Sequence, residues 1–515
     1  MYAHGSIGVS NHQTTIAEGY NQHWTSETAV DELVQNWIDE VEKKAQSVST
    51  YHDWKSHLRL KRDDRFNIFS AVYMFDAPTR LGGAPRQEVL GSLYFDSGRK
   101  ILQLINLGAT IPKEAFLLGV SGGDKKKGNT RGKFGDGLPS STCVLTRGGF
   151  DLFLETGGRM LNRFRFEQHA DFNKTVLTFS STNLENFFRD PYRHPSLPHE
   201  SGRLLCQTVG VKMCGVEFNV NGRRDVVVRL QMPSTGVGGF CRERSVPDSF
   251  FQQDRYLFLK QNDEAFIAHR VKAEAWGEVF WSDDLKGRVY VKDMLCQERA
   301  EEKTAGAPHF GYNLTNFSHV SRDRQNTIPH SELQRHVMFI WDRVCKDSES
   351  SSSRSDRDRE AVSQLFSVLK ESDASLEAGL FSAPNPQAIP LPSTLNALAR
   401  EFQQRHPLQT SFPIRKGDER AREIVEERLK LSAVEVRESL LRCLLASRQI
   451  LVTQPGDGTS SGWRGLNRHL ERRGLWRDGC SECLQTASER LLRQSCVTGR
   501  QDLTLSFAAR APWRR

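Results

Sequence analysis

Glu32-Leu-Val-Gln-Asn-Trp-Ile-Asp39 carries two stripes at helical spacing. Val30, Leu33, Val34, Trp37 and Val41 recur as an apolar face, while Glu32, Asn36 and Asp39, at i, i+4 and i+7, line a polar one. The pattern predicts a helix over residues 27–48. A carboxylate and a carboxamide one turn apart can share a small polar site. The amide oxygen can ligate a hard cation such as Mg2+, and the carboxylate can accept a proton from water. A solvated helix face has the same pattern, so the decision lies further along the chain.

Around this helix the chain has a globular composition. It is 515 residues long, with 37% hydrophobic and 26% charged residues, enough for roughly three domains. No run approaches the ~20 apolar residues of a membrane span. Residues 1–25 are polar and lack a signal-peptide core, so the expectation is an intracellular protein, cytoplasmic or nuclear, without a membrane partner. Ten scattered cysteines suit reduced thiols better than a disulfide framework. Only Cys480-Ser-Glu-Cys483 has metal-ligand spacing, and no second such pair accompanies it. The net charge of +8 is uneven, because residues 448–515 hold twelve Arg, no Lys and six acidic residues. A near-neutral body with a basic tail does not by itself make a nucleic-acid surface.

Short runs rich in Val, Ile, Phe and Tyr predict strands at 65–74, 89–95, 151–155, 175–180, 204–211, 217–220 and 226–230, with 101–105 either strand or helix. Together with the helix they make an α+β first domain over residues 20–235. A smaller α/β domain follows at 247–345, with strand signals at 256–260, 266–271 and 288–291 and a closing helix at 331–344. Residues 346–360 form a Ser/Asp/Arg linker without apolar residues, expected to be disordered. Helical periodicity marks 361–370, 395–405 and 418–446 within a helical segment at 361–447. The Arg-rich tail at 448–515 is left open.

Between the predicted strands lies a Gly- and Lys-rich loop, Gly122-Gly-Asp-Lys-Lys-Lys-Gly128 followed by Gly132-Lys-Phe-Gly-Asp-Gly137. Glycines at these spacings let backbone N–H groups approach an anion, and a following helix adds its positive end. A tight turn in a solvated loop has the same composition. No Gly-Lys-Ser/Thr closes it as a Walker loop would, and a helix and several strands precede it, unlike a dinucleotide fingerprint.

Helix and loop, in this order, resemble the GHKL ATPase superfamily with its Bergerat nucleotide fold, in particular the large heat-shock chaperones and the MORC proteins. Glu32-Leu-Val-Gln-Asn36-x-x-Asp39 is similar to that family's first box. Leu118-Gly-Val-Ser121, Lys125 and Gly132-Lys-Phe-Gly-Asp-Gly-Leu138 are similar to its lid and phosphate box. Asp96-Ser-Gly98-Arg-Lys100 resembles its Asp-x-Gly-x-Gly box, with Lys100 where the second Gly is usual. Asn106-Leu-Gly-Ala-Thr110 resembles the turn that follows in MORC-like members. Asn173-Lys-Thr175 is similar to the late Gly-Thr strand, and His319-Val-Ser-Arg322-Asp-Arg324 resembles a stretch of the chaperones' middle domain.

The resemblance implies a Bergerat-type α/β sandwich ATPase domain, a transducer-like second domain and a helical C-terminal region. By it, Asn36 would ligate Mg2+ and Glu32 would polarise the attacking water. Asp96 and Gly98 would hold the adenine of ATP, with Asp39, Asn106 and Thr175 supporting the pocket. Lys125, Gly132, Lys133, Gly135 and Gly137 would hold the phosphates, and Arg322 would reach the γ-phosphate, with Arg324 or Lys292 as alternatives. The implied activity is slow Mg-dependent ATP hydrolysis that couples lid and domain closure to a change in a partner, with an ATP-dependent homodimer among the implied assemblies. Two alternatives stand beside it. One is a nucleotide-binding interaction protein with little or no hydrolysis, for which Lys100 leaves room; the other is a MORC-like nucleic-acid clamp using the basic tail. The client, whether protein or nucleic acid, is not written in these residues.

Overall fold

The computed structural model describes residues 9–48, 54–65, 67–77, 86–117, 136–156, 160–169, 171, 173–183, 211–218, 220, 225–233, 246–251, 254–297, 306–317, 328–348, 355–382, 392–407, 410–428 and 430–447. The chain divides into two compact units. One comprises Met1–His269, Val289–Gln297 and Asn313–Asn326, the other Arg270–Arg288, Glu298–Tyr312 and Thr327–Arg515. The architecture is mixed α+β, as the sequence predicts.

The first unit is built on an antiparallel sheet of nine strands. In chain order these are β1 (Val9–Ala17), β2 (Leu58–Arg65), β3 (Ile68–Ala77), β4 (Arg86–Asp96), β5 (Ile101–Leu107), β6 (Asp151–Thr156), β7 (Met160–Gln168) and β8 (Thr175–Asn183); then, after a small hairpin of β9 (Val211–Met213) and β10 (Val216–Phe218), β11 (Asp225–Gln231). Across the sheet the order is β1-β8-β7-β6-β11-β5-β4-β3-β2, so β11 is inserted between β5 and β6 and pairs with both. On one face α1 (Ser26–Val48) and α2 (Gly137–Arg147) share a core with Phe69, Tyr73, Leu93, Leu104, Leu154 and Phe179. The β9–β10 hairpin packs on the other, where Val72, Met74, Ile105 and Val227 meet Val211, Met213 and Phe218. With both faces covered, β3 is buried almost without alternation.

Beyond the sheet the chain runs through a 3-10 turn (Leu257–Lys260), α3 (Glu264–Ala268), β12 (Arg270–Ala273), β13 (Gly277–Phe280), β14 (Val289–Val291), β15 (Met294–Gln297) and β16 (Gly311–Leu314). α3 and the β14–β15 hairpin belong to the first unit, and the β12–β13 hairpin to the second. The second unit continues with α4 (His330–Asp347), α5 (Ser355–Glu371), α6 (Leu376–Ser382), α7 (Pro392–Arg405), β17 (Ser411–Arg415), α8 (Glu419–Glu423), β18 (Ser432–Val436) and α9 (Glu438–Ala446). Its centre contains a fully buried carboxylate, Glu377, which accepts from the backbone N–H groups of His309 and Phe310 and from Tyr312 Oη at 2.7 Å. Trp341 Nε1 donates to the same phenol at 2.9 Å. Four donations in one knot offset the cost of taking these polar groups out of water.

Several elements differ from the sequence expectation. Residues 256–260 form a 3-10 turn after a single bridge at Tyr256, not a strand. Residues 266–271 are divided between α3 and β12, because Asp263 caps α3 by accepting from Ala265 and Phe266 N–H. The predicted linker is helical from Ser355, and Asp356 and Asp358 in the first turn of α5 complement its positive end. Residues 418–446 are not one helix: Leu431–Val436 leaves helical geometry, and β18 pairs in parallel with β17. Among the described residues, no helix is long and apolar enough to cross a membrane.

Candidate functional site

The site grows from α1. Thr25 caps this helix, its Oγ1 accepting from Thr28 N at 3.1 Å. Trp37 then fixes how α1 lies on the sheet. Its indole N–H donates to Ile105 O at 2.9 Å, and Asn106 Nδ2 donates back to Trp37 O at 2.9 Å. Gly91 on β4 leaves the space for this contact, since a Cβ there would stand 2.8 Å from Ile105 O and 3.1 Å from Trp37 Nε1. At the C-terminal end of α1, Lys44 pairs with Glu88 at 2.9 Å.

Glu32, only 4% exposed, faces the start of α2. The approach is so close that a Cβ on Gly137 would lie 2.2 Å from Glu32 Oε2. Asp136, the N-cap residue of α2, makes no side-chain cap bond. A carboxylate here is favoured by the positive end of the helix, which equally favours any other anion. One turn along α1, Asn36 Nδ2 donates to Glu32 O at 2.9 Å. Asp39, a further turn on, is half-buried.

Beside Lys44, at the C-terminal end of α1, the end of β5 makes a turn held from two sides. Gly108 has φ +72°, a conformation that glycine adopts without strain. Its N–H donates to Asp225 Oδ1 at 2.9 Å, while Ile111 N donates to Thr156 Oγ1 at 2.8 Å. Asp225 opens β11 and Thr156 closes β6, so the inserted strand buttresses the Asn106 turn. The sequence shows Asn106 and Gly108, but gives no local signal for Asp225 or Lys44. Their relevance depends on sheet order and helix direction.

Other predicted residues lie elsewhere. Asp96 pairs with Ile101 across the β4–β5 hairpin, whereas Asn106 pairs with Gly91. Five residues of strand, roughly 17 Å, therefore separate Asp96 and Gly98 from Asn106. Asp96 Oδ1 accepts from Arg99 N at 2.9 Å, and its other oxygen meets Tyr94 Oη at 3.3 Å, so the carboxylate organises a hairpin turn. In that turn Lys100 adopts φ +59°, which explains why a glycine suits the position, and its ammonium pairs with Asp248. Thr175 opens β8, four strand spacings or roughly 19 Å across the sheet from β5. Its hydroxyl lies 3.5 Å from Gln168 Oε1. Thus α1 and α2 bring Glu32 and Gly137 together, with Asn36 one turn along α1, while Asn106 meets the same helix at Trp37 O. Asp96 and Gly98 lie at the other end of the β4–β5 hairpin from Asn106, and Thr175 lies four strands from β5. Lys125, Gly132, Lys133, Gly135, Arg322 and Arg324 lie outside the described residues. Lys292 is held by its own N–H to Leu314 O at 3.0 Å, with φ +49°.

Among the described residues no group of three or more His, Cys, Asp or Glu could hold a metal ion on its own. No protein-family model matches this chain, and no curated protein matches it in sequence.

Proposed function

We propose that the first unit binds ATP with Mg2+ in a Bergerat-type site on the face of α1 and hydrolyses it slowly. The observation that carries this is the contact of Glu32 with Gly137 at the positive end of α2, with Asn36 one turn along the same helix. These groups have the chemistry needed for a phosphate chain and its cation. A single amide oxygen suits a hard cation whose other ligands are phosphate oxygens and water, so Asn36 fits as the one protein ligand to Mg2+. Bound there, Mg2+ would offset phosphate charge. Glu32, near the phosphate end, would accept a proton from the attacking water.

Asn106 joins Asp96 as a second candidate for the group that reads the base. Its Nδ2 is committed to Trp37 O, which leaves Oδ1 as the acceptor for an exocyclic amino group. Asp96 is anchored in a turn at the other end of the hairpin. A second proposal, nucleotide binding without turnover, is favoured by one observation. The Glu32 carboxylate sits at the α2 terminus that a phosphate would use, so a carboxylate that stays there would not serve the water.

Phosphate release by the intact chain, with and without Mg2+, separates the two. Glu32→Ala is expected to bind ATP but release phosphate at least ~100-fold more slowly, the usual scale for losing a general base. Release that is Mg-dependent yet unchanged in Glu32→Ala would contradict the assigned role, and ATP binding with no release from wild type would favour the second proposal.

A further inference from the structure

We infer that Arg255 and Tyr256 are positioning residues for the α1 site, which grip the helix through Glu27 and Asp31 and tie it to the β14–β15 hairpin. The inference rests on the proposed ATP site and concerns its regulation.

Arg255 Nη1 bonds Glu27 Oε2 at 2.9 Å and its Nη2 bonds Asp31 Oδ2 at 2.8 Å, spanning one turn of α1. Tyr256 Oη donates to the other Asp31 oxygen at 2.5 Å. The guanidinium also lies over the Phe250 ring, 4.5 Å from its centroid. Arg255 is 12% exposed and Asp31 18%, so these charges are largely out of water. Burial and the Asp31 carboxylate both hold the Tyr256 phenol well above its ordinary value, keeping it a donor.

The same dipeptide holds the hairpin by its backbone. Arg255 O accepts from Leu295 N at 2.8 Å, and Leu257 N donates to Asp293 O at 2.9 Å. Tyr256 bridges to Met294, and Tyr290 Oη donates to Asp254 O at 2.7 Å. Side chains thus face the helix while main chain faces the hairpin. A rotation of α1 cannot occur without straining one set or the other.

Such a rotation matters because Asp31 and Glu32 are consecutive. The Glu27/Asp31 stripe lies roughly 100–180° around the helix from Glu32 and Asn36. A roll of about 10° at a side-chain radius of about 6 Å displaces Glu32 by about 1 Å, and such a misplacement can cost ~100-fold in rate. A buried ion network is also a costly way to pack a helix, since apolar residues of similar volume are often as stable or more so. Its geometry accounts for it better than its stability does.

The test uses Tyr256→Phe and Asp31→Asn in the full chain, with a non-hydrolysable ATP analogue plus Mg2+ as probe. Affinity, phosphate release, and amide hydrogen exchange of residues 289–297 with and without probe are measured. Both variants are expected to hold the probe within about 3-fold of wild type while kcat falls at least ~10-fold, a loss confined to the transition state. Nucleotide-dependent protection of 289–297, present in wild type, should disappear. Unchanged kcat and protection in the variants would overturn the inference, as would parallel losses of affinity, kcat and thermal stability, which mark a merely structural contact. If Asp31→Asn does not fold, Tyr256→Phe, which removes one hydroxyl and keeps the ion pair, carries the test. Failure of wild type to bind the probe would sink the ATP proposal itself, whereas binding with wild-type behaviour in both variants would sink this inference alone.

Discussion

At the residue scale, Gly137 and Glu32 compete for the same space, and the side chain that would yield is known. A methyl at position 137 would meet Glu32 Oε2 at 2.2 Å, the far end of a flexible side chain rather than backbone. Gly137→Ala should therefore push the carboxylate off its rotamer at a cost of about 1 kcal/mol. Phosphate release should fall by about 100-fold, because a displaced base is poorly aligned. Urea unfolding together with phosphate release checks both halves. A large loss of stability, or unimpaired release, would count against the placement of Glu32. That Glu32 and Asn36 share one face of α1 was legible from helical spacing, since a helix repeats by local geometry. Which of two turns would meet the base in the proposed site was not. Asp96-Ser-Gly98 and Asn106-Leu-Gly108 are both strand-ending turns with a carboxylate or amide followed by glycine. Only the hairpin register, which puts them at opposite ends of β4 and β5, distinguishes them.

At the scale of elements, α1 is read well from its sequence because its stripe and its length agree. How it docks is set by Trp37 and Gly91, and Gly91 looks like any strand glycine until the helix is laid across it. Its missing Cβ would face Ile105 O at 2.8 Å and Val41 Cγ2 at 2.8 Å, of which the first is backbone and cannot give. Gly91→Ala should destabilise the chain by about 1–3 kcal/mol, as overpacking does. A denaturation midpoint indistinguishable from wild type would mean that α1 does not sit on β4 in this way. Elements with weak apolar contrast escaped the sequence reading for a related reason. β1, β2 and β7 carry many polar residues, and β17 and β18 are short and find each other only around α8.

At the scale of the whole molecule, the order of the sheet decides which residues meet at the end of β5. β11 comes last in sequence but sits between β5 and β6, and its first residue supports the Asn106 turn. No local pattern foretells such an insertion, because strand pairing is decided by long-range burial rather than by neighbours in sequence. The central claim, an ATP–Mg2+ site on α1, is tested most directly by thermal unfolding of the intact chain with millimolar ATP and Mg2+, in wild type and in Asn36→Ala. Alanine is the best helix former and replaces a half-buried side chain, so α1 should persist. Ligand at about 100 times its Kd stabilises the folded state by about 2.7 kcal/mol. The account predicts a clear upward shift in Tm for wild type that requires Mg2+ and is lost or sharply reduced in Asn36→Ala. No shift in wild type, or an equal shift in both proteins, would contradict it.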